Sequence, residues 1–124
     1  GSQYEFSLSK KQRQRMNVIL FNQLTDFMKL HLNHISIQML TQEFHFYEDY
    51  FNRLLKTQTG MTYIEYLQML RLERAELLLT ETNNTIEQIA EEVGYHNKGY
   101  FYRIFIERNN CTPAQYRKKR QERL

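Results

Sequence analysis

A chain of 124 residues, 25% charged and 41% hydrophobic, has room for one modest core or two very small ones. Its net charge is +3, no apolar run approaches the ~18 residues a membrane span needs, and no signal-peptide pattern opens it. The single cysteine, Cys111, has no internal disulfide partner, which suits a reducing cytoplasm. No glycine-rich phosphate loop, metal-ligand cluster or cysteine–histidine pair is legible, so neither an enzyme nor a cofactor is expected.

One proline and four glycines in a chain rich in Leu, Glu, Gln, Lys and Arg predict an all-α fold. Gly1-Ser2 has the form of a cleaved expression-tag scar, so residues 1–8 are expected to be a tag remnant and lead-in to a fragment of something longer. Ser9 with Gln12 is a capping box, in which each side chain satisfies the other residue's backbone N–H. The helix it opens runs to about Leu32, with Met16, Ile19, Leu20, Leu24, Phe27 and Met28 forming one buried face. His31 and His34 lack a carboxylate or cysteine at ligand spacing and read as surface or helix-end histidines, not a metal site. A short helix over 36–44 turns Ile37, Leu40 and Phe44 inward. After a turn at 45–47, a helix from Glu48 to about Gln58 buries Phe51, Leu54 and Leu55, leaves Glu48, Asp49, Asn52, Arg53 and Lys56 outside, and closes at Gly60.

Thr62 with Glu65 opens a helix to about Thr80, roughly 28 Å long. Ile64, Leu67, Ala75, Leu78 and Leu79 share a face, and Arg71 in its middle reads as a partly buried ion-pair partner. Thr85 with Gln88 opens the next helix, which carries Ile86, Ile89, Ala90 and Val93. From Asn97 to Arg108, one helical face holds Phe101, Ile104, Phe105 and Arg108, and the other holds Lys98, Gly99, Tyr102, Arg103 and Ile106. Thr112-Pro113-Ala114-Gln115 starts a last helix. Positive charge gathers at both ends, densest in Arg117-Lys118-Lys119-Arg120, which suits either phosphate contact or a solvated tail.

The chain repeats itself. A shift of fifty places Tyr50-Phe51-Asn52-Arg53 over Tyr100-Phe101-Tyr102-Arg103, Thr62 over Thr112 and Tyr66 over Tyr116. Upstream the shift is forty-nine, with Leu40 over Ile89, Phe44 over Val93 and His45 over Gly94, so the second turn is one residue longer. The plan is two helix-turn-helix subdomains, 9–61 and 82–124, joined by a long linker helix over 62–81.

Two such units suit duplex DNA, whose major groove admits a helix and whose successive groove segments lie about 34 Å apart. A connector of roughly 28 Å plus the radii of the packed units is of that order. Arg53 and Arg103 carry the guanidinium fork that matches guanine O6 and N7. Asn52 suits adenine, Lys56 and Lys98 suit phosphates or base edges, and Tyr102 suits a thymine methyl or a phosphate. The alternative is a helical protein-interaction module without DNA specificity, although two repeats fall short of the usual three or more.

The sequence resembles the DNA-binding domain of the AraC/XylS family of bacterial transcription regulators over about residues 34–118. The likeness rests on Thr59-Gly60-Met61-Thr62 with Tyr66, on Arg71-Leu72-Glu73-Arg74-Ala75 with Leu78-Leu79, and on Ile86 to Val93. Its most specific parts are Gly94-Tyr95, Tyr100-Phe101-Tyr102-Arg103-Ile104-Phe105 and Thr112-Pro113-Ala114-Gln115-Tyr116-Arg117. The resemblance implies seven helices, sequence-specific binding to double-stranded promoter DNA and transcription regulation in a bacterial cytoplasm. It also implies a sensory or dimerisation domain ahead of this one, with RNA polymerase a candidate further partner. The family's base-reading positions map to Glu48, Asp49, Asn52 and Arg53, and to Lys98, Gly99, Tyr102 and Arg103. The chain departs from the family pattern at the first turn: His45 stands for the usual glycine, Thr41 for alanine and Tyr47 for a serine cap. The second unit is therefore expected to discriminate sequence more strongly than the first.

Overall fold

The computed structural model describes residues 9–122; the expected tag remnant and lead-in over residues 1–8 lie outside them. Among the described residues there are seven helices and no strand: α1 (Lys10–Leu30), α2 (Ile37–Phe44), α3 (Glu48–Thr59), α4 (Tyr63–Glu81), α5 (Ile86–Val93), α6 (Lys98–Asn109) and α7 (Pro113–Glu122). The three expected capping boxes form, and the helix start at Thr112 makes a fourth. The Ser9 N–H donates to Gln12 Oε1 at 2.9 Å and the Gln12 N–H to Ser9 Oγ at 3.1 Å. Thr62/Glu65, Thr85/Gln88 and Thr112/Gln115 repeat the exchange, satisfying N–H groups that a helix start leaves without partners. At α4, the Thr62 N–H donating to it holds the Glu65 carboxyl below its usual range. Helices α2, α3, α5 and α6 stop at residues in the left-handed region, His45, Gly60, Gly94 and Asn110.

The chain forms two compact units. The first comprises α1 and Ser36–Tyr66; the second comprises Leu67 onward together with His31–Ile35. The first buries Leu24, Met28, Leu40, Phe51, Leu54 and Leu55, with the Phe44 ring edge-on to Phe27 and Phe51. A buried hydroxyl pair, Thr25 Oγ1 and Tyr66 Oη at 3.0 Å, ties α1 to the first turn of α4. The second core is Leu72, Ala75, Leu78, Leu79, Ile89, Ala90, Val93, Phe101, Ile104 and Phe105. Two arginines clamp helix ends in it. Arg117 Nε donates to the Leu79 carbonyl at 3.0 Å and its Nη2 to Thr82, while Arg71 Nε donates to the Leu32 carbonyl at 3.0 Å.

Three expectations from periodicity need correction. Met16 and Ile19 are 54% and 57% exposed, because the buried stripe of α1 begins only near Leu24. Ile64 is 77% exposed, since the first two turns of α4 bury Tyr63, Tyr66, Leu67 and Leu70, placing Ile64 outside. Arg71 is structural and half-buried, but its partners are the Leu32 carbonyl and the Tyr95 ring (5.4 Å to the centroid) instead of an acid.

Candidate nucleic-acid interface

Three residues join α2 to α3 and four join α5 to α6, so the second turn is the longer by one. In the first, His45 adopts φ 60, which a non-glycine residue holds at a cost of about 1–2 kcal/mol. Tyr47 sits at the N-cap of α3, makes no side-chain cap and is 88% exposed. Glu48 and Asp49 fill the first turn of α3, where acids favour the helix dipole. Arg53 and Lys56 are exposed one turn and two turns on. Asn52 is half-buried, its amide reaching back to the Glu48 carbonyl at 3.5 Å. Arg53 borders a cavity of about 230 Å³ with Asn17, Tyr50, Leu54 and Thr57. Tyr50 stacks on Phe46 at 4.5 Å and donates its hydroxyl proton to Asn17 Oδ1 at 3.3 Å.

The second unit is built differently. Asn97 caps α6, its Oδ1 accepting from the Tyr100 N–H at 3.0 Å. Lys98, Gly99 and Arg103 lie exposed, with Tyr102 half-buried beside them against Phe101. The Arg103 guanidinium lies 5.2 Å from the centroid of the Tyr100 ring, whose hydroxyl accepts from Gln68 Nε2 at 3.3 Å. A cation over an aromatic face loses some of its rotamer freedom before any ligand arrives. Gly99 has no internal reason to be glycine: a Cβ there would meet only Asn97 Oδ1, at 3.4 Å. Gly94 is the opposite case, with φ 105 and the Arg71 guanidinium 2.8 Å from where a Cβ would stand. Burial of the neighbouring Tyr95 pushes its phenol up to about 12, against the opposing pull of Arg71.

The candidate residues thus fall in two sets, one on α3 and one on α6. Sequence alone missed Asn17, Tyr50, Gln68 and Tyr100 as their supports; the i, i+3 spacing of Tyr100 and Arg103 was the one available signal. Among the described residues no group of His, Cys, Asp or Glu could hold a metal ion, and no helix is long and apolar enough to cross a membrane.

Residues 40–119 match the helix-turn-helix domain family, about two-thirds of the chain, from within α2 into α7. The chain belongs to the AraC-type helix-turn-helix family. It is 43% identical over 67 residues to the HTH-type transcriptional activator RhaR of Mannheimia succiniciproducens, covering 54% of this chain and 24% of that protein. Among solved structures it resembles the C-terminal domain of AraT, a response regulator from Geobacillus stearothermophilus, at 29% identity and TM-score 0.70, over 77% of this chain and 80% of that one. An AraC-type transcriptional regulator from Chromobacterium violaceum superposes with TM-score 0.72 at 26% identity, over 77% and 87% of the two chains. The chain spans about a quarter to a third of the length of RhaR and of two other curated relatives it matches. Within this AraC-type domain, α3 and α6 occupy the second-helix position of their pairs, the position that enters the major groove in helix-turn-helix proteins.

Proposed function

We propose that this domain regulates transcription by binding a bipartite site on promoter DNA, with α3 and α6 each in a major-groove segment. The observation that carries it is the exposed face of α6, where Arg103 rests on Tyr100 beside Lys98, Gly99 and Tyr102. A guanidinium held in this way presents its donor fork to guanine O6 and N7, while the missing side chain of Gly99 leaves room for close approach of DNA. Lys98 supplies phosphate or base-edge contact and Tyr102 a thymine methyl or phosphate contact. On α3, Arg53 and Asn52 are the base-edge candidates and Lys56 the phosphate contact. Glu48 and Asp49 contribute only where they accept from cytosine N4, because phosphates repel them. RhaR and AraT are named as an activator and a response regulator, and both extend beyond the part matched here. That supports a further sensory or dimerisation domain in the whole protein, with RNA polymerase as a partner.

Selection from a randomised duplex pool, at low and near-physiological salt, tests this. Two enriched motifs about ten base pairs apart are expected. Binding that enriches no sequence and vanishes with salt would reduce the contact to phosphate attraction and overturn sequence-specific regulation.

A further inference from the structure

We infer that the amino-terminal turns of α1 form a separate phosphate-binding surface beside the first recognition helix, through Lys10 and Arg13. This rests on the DNA-binding function proposed above and extends it to an element outside residues 40–119, the span of the family match.

Four cations, Lys10, Lys11, Arg13 and Arg15, fall within the first six residues of α1, and its first turn holds no acid. The dipole of a helix disfavours positive charge at that end, so the helix gains nothing from them there. All four are exposed, and among the described residues none forms an ion pair. Their placement points to an anion outside the chain. Lys10, Arg13 and Asn17 lie on one stripe of α1, at helical spacing. Asn17 holds the Tyr50 hydroxyl and borders the same cavity as Arg53, the base-edge candidate of α3. Arg13, one turn earlier, lines an open groove with Phe46 and Tyr50, at the turn and first turn of the same recognition element. The stripe therefore runs beside the edge of α3 that carries Arg53. DNA engaged by α3 brings its phosphates to that edge, and Glu48 and Asp49 on α3 cannot hold them. Lys11 and Arg15 lie round the helix from this stripe and contribute less.

The test is the salt dependence of binding. Each phosphate contact adds about 0.9 to the slope of log affinity against log salt. The double variant Lys10→Gln/Arg13→Gln of the full chain is compared with a charge-matched Lys29→Gln/Arg74→Gln control, on the selected duplex and on a scrambled one. The slope of the first is expected to fall by roughly 2, so that between 50 and 200 mM salt its affinity declines about tenfold less steeply than that of the unaltered chain. The control slope and both helical spectra should stay as they were. An unchanged slope in the Lys10/Arg13 variant, or an equal fall in the control, overturns the inference. Failure of the unaltered chain to prefer the selected duplex overturns the proposed function instead, so the two failures are distinguishable.

Discussion

The two helix-turn-helix units share a plan but not a finish. In the second, glycine takes the left-handed position of the turn, asparagine caps α6, and an aromatic ring supports Arg103. In the first, the same three places hold His45, an uncapped Tyr47 and a Tyr50 whose ring is occupied by Phe46. Acids begin α3 and a lysine begins α6. One fold thus carries one helix start whose charge suits an anionic partner and another whose acids favour their own helix and repel such a partner. The difference lies in a handful of side chains, since both cores bury the same aromatic and aliphatic pattern.

The largest test of this asymmetry is at the arginines. Arg103→Ala should weaken binding to the selected duplex by about 2 kcal/mol, some thirtyfold in Kd, and relax preference at one base position. Arg53→Ala should cost less than about 1 kcal/mol, because nothing comparable to Tyr100 holds its side chain in place. Equal losses in a binding titration would remove the ranking of the two units.

Stability separates the two turns next. Gly94→Ala forces a side chain to φ 105 and drives a methyl against the Arg71 guanidinium, which must then release the Leu32 carbonyl. A loss of about 2 kcal/mol is expected in denaturant unfolding. His45→Gly, at the matching position, should go the other way by roughly 0.5 kcal/mol, relief of the left-handed strain being partly offset by the entropy of glycine. The caps follow the same logic at about 1 kcal/mol: Asn97→Ala destabilises by losing the bond to Tyr100 N–H, and Tyr47→Ser stabilises by making one that α3 lacks. A destabilising Tyr47→Ser would show that the exposed ring supports α3 in a way the cap cannot replace.

What the sequence revealed and what it hid divide along the range of the interactions. Helix starts were legible because a capping box is a local exchange between residues three apart: the boxes expected at Ser9, Thr62 and Thr85 form, and the helix start expected at Thr112 makes the same exchange. The fifty-residue repeat and the longer second turn were legible for the same reason. Periodicity identified apolar stripes without saying which part of a stripe meets a neighbour, so Met16, Ile19 and Ile64 were misplaced inside. Arg71 showed the opposite failure: its half-buried position was readable, but its partners lie 39 residues back at Leu32 and 24 residues on at Tyr95. An arginine on an apolar face suggests an acid partner, yet a helix-end carbonyl and a ring serve it equally. Gln68 under Tyr100 and Asn17 beside Tyr50 were hidden likewise, since only folding brings residues 32 or 33 positions apart together.

The smallest expected effect tests how closed the second turn is. Its Tyr95 corresponds in the repeat to Phe46, which cannot ionise. Burial raises the Tyr95 phenol from 10.0 to about 12, the Arg71 guanidinium opposing the shift without cancelling it. The folded chain therefore keeps this proton at a pH where the unfolded chain has released it. Stability from the protonated phenol is complete below pH 10 and is lost as pH rises from 10 towards 12. Tyr95→Phe removes that titration and leaves the ring. Every other group is common to both proteins, so the difference between the two chains isolates residue 95. In urea unfolding, the stability of the unaltered chain relative to Tyr95→Phe should fall as pH rises from 10 towards 12. The size of that fall is modest because the phenol is only half-buried and water screens part of the penalty. A difference that stays constant across the interval would mean that the second turn admits water around Tyr95 as freely as the first does around Phe46. The closed, arginine-backed turn would then no longer distinguish the two units.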